Sequence, residues 1–234
     1  MGRARVTSLL VALVLALAAA PAGAAPASRD DGGPTTQIIG GGHVSSAPWA
    51  AALYYSDGFY CSGTTIAPRW VITARHCIYD GYAMSVRVGN VHHPSGTFAN
   101  VRRVVRAPGA DLALLNLDRT VNTTYAAIAG ADPRPNTTNN IYGWGTTEPG
   151  ENAPLSDRLK TATVRVTSTN GTDYFGGRAI RSRVQSGGPG YGDSGGPQLA
   201  GGKLVGVCST GDYTYQQYTS VTAYRGWIRD TAGV

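Results

Sequence analysis

An all-β chain, with enough short strands for small antiparallel barrels, is predicted by three observations. Glycine accounts for 32 of the 234 residues. Apolar runs rich in valine, isoleucine and threonine are short, and Gly, Pro, Asn or Asp breaks each one. No internal repeat, low-complexity tract or linker interrupts the stretch from Ile38 to Val234.

The N-terminal region reads as an address. Arg3 and Arg5 precede an apolar segment from Val6 to about Ala20, and Ala22-Gly23-Ala24 offers the small residues that signal peptidase requires. The apolar segment is short and runs straight into proline and small residues, which favours a cleaved signal over 1–24 rather than a membrane anchor. A secreted, extracellular protein is expected, with no membrane attachment once the signal is gone. Residues 25–37 are polar, contain Gly and Pro, and read as a propeptide; 38–234 remain as the folded domain.

The chain carries 20 basic and 14 acidic side chains, net +6. The leader takes three arginines and two aspartates with it, so the mature part stays mildly basic. Arg102, Arg103 and Arg106 alternate with valines, as on a solvated sheet face, and no nucleic-acid partner is expected.

Strands are predicted at Ala50 to Tyr55, Thr64 to Ile66, Val71 to Thr73, Val86 to Val88, Val101 to Val105 and Leu112 to Leu117, a set that suits a first antiparallel barrel. His92-His93 sits at an expected loop tip and lacks carboxylates or cysteines at ligand spacing, so no metal site is assigned. The stretch Asp118 to Asn140, polar and rich in Thr, Asn and Pro, reads as a crossing between barrels. Asn122-Thr123-Thr124, Asn136-Thr137-Thr138 and Asn170-Gly171-Thr172 fit the N-glycosylation pattern and read as surface loops. Leu159 to Val166, Ala179 to Val184 and Lys203 to Cys208 supply strands of a second barrel. Tyr224, Trp227 and Ile228 recur at helical spacing within a C-terminal helix over Val221 to Thr231.

The chemistry is concentrated in Gly190-Tyr191-Gly192-Asp193-Ser194-Gly195-Gly196-Pro197. Glycines around a lone serine permit unusual backbone conformations and leave N–H groups open to close approach. A serine hydroxyl is a poor nucleophile unaided; it needs a base, and donors aimed at the oxyanion formed on attack. Two upstream segments offer the remaining parts: Thr73-Ala74-Arg75-His76-Cys77 after an apolar run, and Asp111-Leu112-Ala113-Leu114-Leu115.

The order His76, Asp111, Ser194 resembles that of the trypsin/chymotrypsin family of serine endopeptidases, its bacterial secreted members included, and differs from the orders in subtilisins and α/β-hydrolases. Ile38-Ile39-Gly40-Gly41, Pro48-Trp49, Cys61-Ser62-Gly63-Thr64 and Gly143-Trp144-Gly145 extend the resemblance from about Ile38 to the C-terminus. It implies two packed antiparallel six-stranded β-barrels with a C-terminal helix, and a monomer without cofactor that cleaves peptide and protein substrates and is open to proteinaceous inhibitors. His76, Asp111 and Ser194 would be the catalytic residues, and the N–H groups of Gly192 and Ser194 the oxyanion hole. Ile38, freed at its amine, would pair with Asp193. The family also pairs the cysteines matching Cys61 and Cys77; such a disulfide contributes roughly 3 kcal/mol on the chain-entropy estimate. Two free thiols are the alternative reading. Cys208 has no partner and reads as a small buried apolar residue.

Four departures from the family pattern affect specificity and activation. Gln37, in place of Arg or Lys, precedes Ile38, so activation needs a protease that does not cut after a basic residue, or a cut after Arg29 followed by trimming. The position of the trypsin pocket aspartate is Gly188, and Gly190 replaces the pocket cysteine. Ser209-Thr210-Gly211 matches the segment that pairs with substrate backbone, with Thr210 in place of an aromatic residue. An uncharged apolar or aromatic side chain is therefore expected before the cut, with Asp212 at the rim as the alternative route to a basic preference. A noncatalytic binding protein on the same scaffold is the alternative function. An esterase or lipase does not fit the residue order.

Overall fold

The computed structural model describes residues 1–2, 38–56 and 58–234; nearly all of the expected signal and propeptide segments lies outside them. Thirteen strands and one α-helix follow.

The first barrel is built from β2 (Ala50–Tyr55), β3 (Gly58–Ala67), β4 (Trp70–Thr73), β5 (Ser85–Val88), β6 (Thr97–Arg106) and β7 (Ala113–Leu117). It closes in the order β2-β3-β4-β7-β6-β5, every pair antiparallel. Leu53, Val71, Ile72, Val86, Leu114 and Leu115 are all buried in one core cluster; since successive strand residues point to opposite faces, the burial of the neighbours Val71-Ile72 and Leu114-Leu115 means that β4 and β7 are covered on both sides. The arginines of β6 act singly: Arg103 lies over the Trp70 ring at 5.7 Å and Arg106 donates to Asp80 at 2.6 Å.

The second barrel contains β8 (Thr138–Gly143), β9 (Lys160–Thr172), β10 (Arg178–Val184), β11 (Pro197–Ala200), β12 (Lys203–Gly211) and β13 (Tyr215–Ser220). The order is β9-β10-β13-β12-β11-β8, closed by β8 on β9, while the short β1 (Gly42–His43) adds to β9. Ile141, Val164, Val166, Ile180, Val205 and Tyr218 form its interior, joined by Ile38. Ile38 has φ +33°, left-handed for a β-branched residue. Two antiparallel six-stranded barrels and a C-terminal helix are thus the architecture expected from the sequence.

Several boundaries differ, each for a local reason. The polar crossing ends early, since β8 begins at Thr138; its Asn139 is buried by pairing with β9 rather than by an apolar side chain. The loop after Gly211 is short, because Asp212 Oδ1 accepts the N–H groups of Thr214 and Tyr215 and β13 starts at Tyr215. The helix α1 spans Arg225–Ala232 and not Val221 to Thr231. Ser220 and Thr222 donate to the Asp132 carboxylate and Ser220 Oγ accepts the Ala223 N–H, so side-chain bonds hold this segment in a turn before the helix begins. His93 is not at an exposed tip: it bonds Tyr54 and packs on Phe59. Asn170 to Thr172 belong to the long β9 rather than to a loop.

Candidate active site

The segment around Ser194 is fixed by contacts that only glycine allows. A Cβ at Gly195, where φ is +79°, would lie 2.1 Å from Thr73 Oγ1 and 2.3 Å from the Ser62 carbonyl. The loop is therefore pressed onto the first barrel, and Ser62 holds it there: its N–H donates to the Ser194 carbonyl at 2.9 Å and its hydroxyl to the Gly192 carbonyl at 2.9 Å. On the other side, Gly195 N–H donates to the Cys208 carbonyl and Cys208 N–H to the Gly196 carbonyl. Gly192 adopts φ +91°. Among the described residues the N–H groups of Gly192 and Ser194 donate to no acceptor.

His76 lies in a 3₁₀ turn, Arg75–Cys77, at the end of β4, and a Cys61–Cys77 disulfide ties that turn to β3. Its Nδ1 lies 2.7 Å from Asp111 Oδ2 and its backbone N–H donates to Asp111 Oδ1 at 2.8 Å. Ser209 Oγ also donates to Asp111 Oδ2, at 2.6 Å. Asp111 is fully buried. Burial alone would push its carboxyl up, but the bonds from His76 and Ser209 outweigh that and hold it below the ordinary carboxylate range. The imidazole carries its proton on Nδ1 in this arrangement, leaving Nε2 as the acceptor. Ser194 Oγ makes no hydrogen bond to the ring among the described residues; such bonds tighten in the substrate complex.

Asp193 is 2 % exposed, with Oδ1 accepting from Gly145 N–H at 2.7 Å and Oδ2 from Gly190 N–H at 2.8 Å. Ile38 is buried in the second barrel, but its N–H is not among these donors. The cation facing Asp193 is Lys160, which pairs across the sheet with Gly143, the glycine whose missing Cβ makes room for Asp193 Oδ1. Lys160 Nζ is buried without a hydrogen-bond partner. Burial pushes Asp193 up to about 6 despite the N–H bonds, and pulls Lys160 down to about 8. Because the folded-state value of Asp193 lies above the unfolded one, the folded chain binds the extra proton and stability falls as pH rises from about 4 to about 6. In the chain uncut before Ile38, the unfolding free energy of Asp193→Asn relative to the parent should therefore rise by about 2 kcal/mol between those limits. Urea melts at both pH values check this; a constant difference would refute it.

A cavity of about 400 Å³ adjoins Ser194, with Pro189 to Tyr191 on one wall and Ser209 to Tyr213 on the other. Thr210 and Gly211 line it as expected, whereas the Ser209 side chain is committed to Asp111. Gly188 is buried behind the wall, against Val184 and bridged to Ile39. Gln216, 4 % exposed, also faces the cavity. Cys208 is a free buried thiol at its edge, and burial pushes its titration up. Two groups at the site escaped sequence reasoning. Neither Gln216 nor Asp173, which accepts the Asp111 backbone N–H, belongs to a sequence motif.

The trypsin family model matches residues 38–228. Similar proteins include a trypsin of Phaedon cochleariae, 30% identical over 233 residues and covering 84% of this chain and 89% of that one. A trypsin of Saccharopolyspora erythraea is 32% identical over 199 residues, covering 75% and 87%. Among solved structures, neuropsin, a serine protease expressed in the limbic system of mouse brain, superposes with a TM-score of 0.70 at 25% identity, covering 82% of this chain and 98% of its own. With its two barrels, its order of motifs and these likenesses, the chain belongs to the trypsin family of serine endopeptidases.

Proposed function

We propose that the protein is a secreted endopeptidase, made with a signal over 1–24 and a propeptide over 25–37, that works through Ser194, His76 and Asp111. The observation that carries the reading is the 2.7 Å contact between His76 Nδ1 and Asp111 Oδ2; Ser209, the other donor to that oxygen, lines the same cavity as Ser194. Ser194 Oγ attacks the substrate carbonyl while His76 Nε2 takes its proton; the C–N bond breaks as His76 returns the proton to the leaving amine. Asp111 keeps the imidazole in the tautomer that accepts at Nε2. The oxyanion is held by the N–H groups of Gly192 and Ser194, and water then repeats the sequence on the acyl-enzyme. A fluorophosphonate should label the protein on the peptide containing Ser194; no labelling of the chain starting at Ile38 would leave a binding protein on a protease scaffold.

Processing before Ile38 supplies an amine to Asp193, beside which Lys160 is the cation among the described residues. The substrate's side chain before the cut is uncharged: Gly188 offers no carboxylate at the pocket position, and Asp212 Oδ1 is turned to the N–H groups of Thr214 and Tyr215 in its own exposed loop. A panel of chromogenic peptides varied only at that residue should favour aromatic or apolar side chains over Arg and Lys by at least about tenfold, the scale of one pocket contact. Cleavage confined to Arg and Lys would overturn this. The protein acts as a monomer, and proteinaceous inhibitors would bind the same cleft.

A further inference from the structure

The tip of the β9–β10 hairpin brings a second buried carboxylate to the triad acid. Asp173 is 5 % exposed and accepts four hydrogen bonds. Oδ2 takes the backbone N–H of Asp111 at 2.9 Å and the Thr219 hydroxyl at 3.0 Å; Oδ1 takes the N–H groups of Phe175 at 2.9 Å and Gly177 at 2.7 Å. Each carboxylate oxygen thus accepts two donors and donates none. The next residue adds a second link: Tyr174 N–H donates to Ser209 Oγ at 3.1 Å, which obliges the Ser209 hydroxyl to point its own proton at Asp111 Oδ2. The tip is held over the histidine as well, with the Tyr174 ring edge-on to the His76 ring at 6.1 Å and Arg75 over the Phe175 ring at 4.3 Å. Gly177 is a close-approach position, where a Cβ would lie 2.8 Å from Ala110 Cα.

These contacts have a direction. Asp111 and His76 belong to the first barrel and Ser194 to the second, so the reacting groups meet only if the barrels are held in register. Asp173 and Tyr174 come from the second barrel and grip the first at Asp111. We infer that Asp173 is a positioning residue: it fixes the Asp111 backbone and, through Tyr174 and Ser209, the Asp111 carboxylate, and so sets the imidazole against Ser194. This rests on the proposed triad. No proton passes through Asp173, and it touches no substrate atom.

The test compares the parent chain processed to Ile38 with Asp173→Asn and with Thr219→Val, which removes a single donor and keeps the volume. Loss of alignment without loss of substrate contacts predicts that kcat falls about 10- to 100-fold in Asp173→Asn and about 3- to 10-fold in Thr219→Val, with KM within about twofold, since small misplacements of reacting groups cost rate steeply. Each variant is assayed below its own thermal midpoint; should Asp173→Asn not fold, Thr219→Val decides. The downfield proton resonance of His76 Nδ1–H, read by NMR independently of turnover, should shift or broaden in the variants. Unchanged kcat together with an unchanged resonance in the folded variants would overturn the positioning role. A parent that fails to react with fluorophosphonate while its variants still move the resonance would refute the catalytic reading, and with it the setting of the imidazole against Ser194, while the hold of Asp173 on Asp111 and His76 would stand.

Discussion

Ser194→Ala is expected to lower kcat for peptide hydrolysis by about 10⁶-fold, and His76→Ala by about as much, while the double variant loses little more. The non-additivity follows from the chemistry. Without the hydroxyl there is no nucleophile for the imidazole to deprotonate, and without the imidazole the hydroxyl keeps its proton, so either change removes the whole device. What survives is the contribution of the free Gly192 and Ser194 N–H groups, which alanine at 194 retains. The fold should persist: Ser194 is held through its carbonyl by Ser62 N–H, a backbone bond that alanine preserves. Single-turnover assays with a chromogenic ester and peptide measure these effects. Additive losses in the double variant would mean that the two residues do not act as a unit.

Asp111→Asn should reduce kcat at neutral pH by about 10⁴-fold. Both Asp111 oxygens face donors: His76 Nδ1 and Ser209 Oγ on Oδ2, the His76 backbone N–H on Oδ1. An amide must turn its NH₂ toward one of these sets. Facing the ring, it favours the tautomer with the proton on Nε2, which can no longer accept from Ser194. Facing the backbone, it leaves two donors of a fully buried group opposed, at a cost of about 1–3 kcal/mol. The depressed titration of Asp111 gives a companion effect. Its contribution to stability is fully present above the ordinary Asp range and is lost as pH falls through the lower folded value. Asp111→Asn should therefore remove part of the acid sensitivity of the parent's unfolding. Full activity of the variant at neutral pH would remove the tautomer argument.

The segments that carry His76, Asp111 and Ser194 were legible because their sequence signals are local. Trp70-Val71-Ile72 and Ala113-Leu114-Leu115 announce buried strands, and the residues beside them arrive with the strand ends. Serine among glycines states its own need for close approach, and Gly195 meets that need against Thr73. Strands β8 and β13 were not legible in full. Thr138-Asn139-Asn140 and Tyr215-Gln216-Gln217 are polar, and they become strands because neighbours on both sides satisfy their backbones. Asp173 was hidden for a related reason. Between Thr172 and Tyr174 it looks like any turn aspartate, and its worth lies in Asp111, 62 residues away in the chain. The pocket wall was legible at Thr210 and Gly211, while Gly188 matched by position alone and stands one residue behind the cavity.

The left-handed backbone of Ile38 bears on the proposed cut before it. That conformation is costly for a β-branched residue, by about 1–3 kcal/mol. If the bond before Ile38 is cut as proposed, the dihedral that carries the penalty ceases to exist in the product, and resealing the bond would restore it. Strain held at that join would then favour cutting over rejoining, as a ratchet tooth favours one direction of travel.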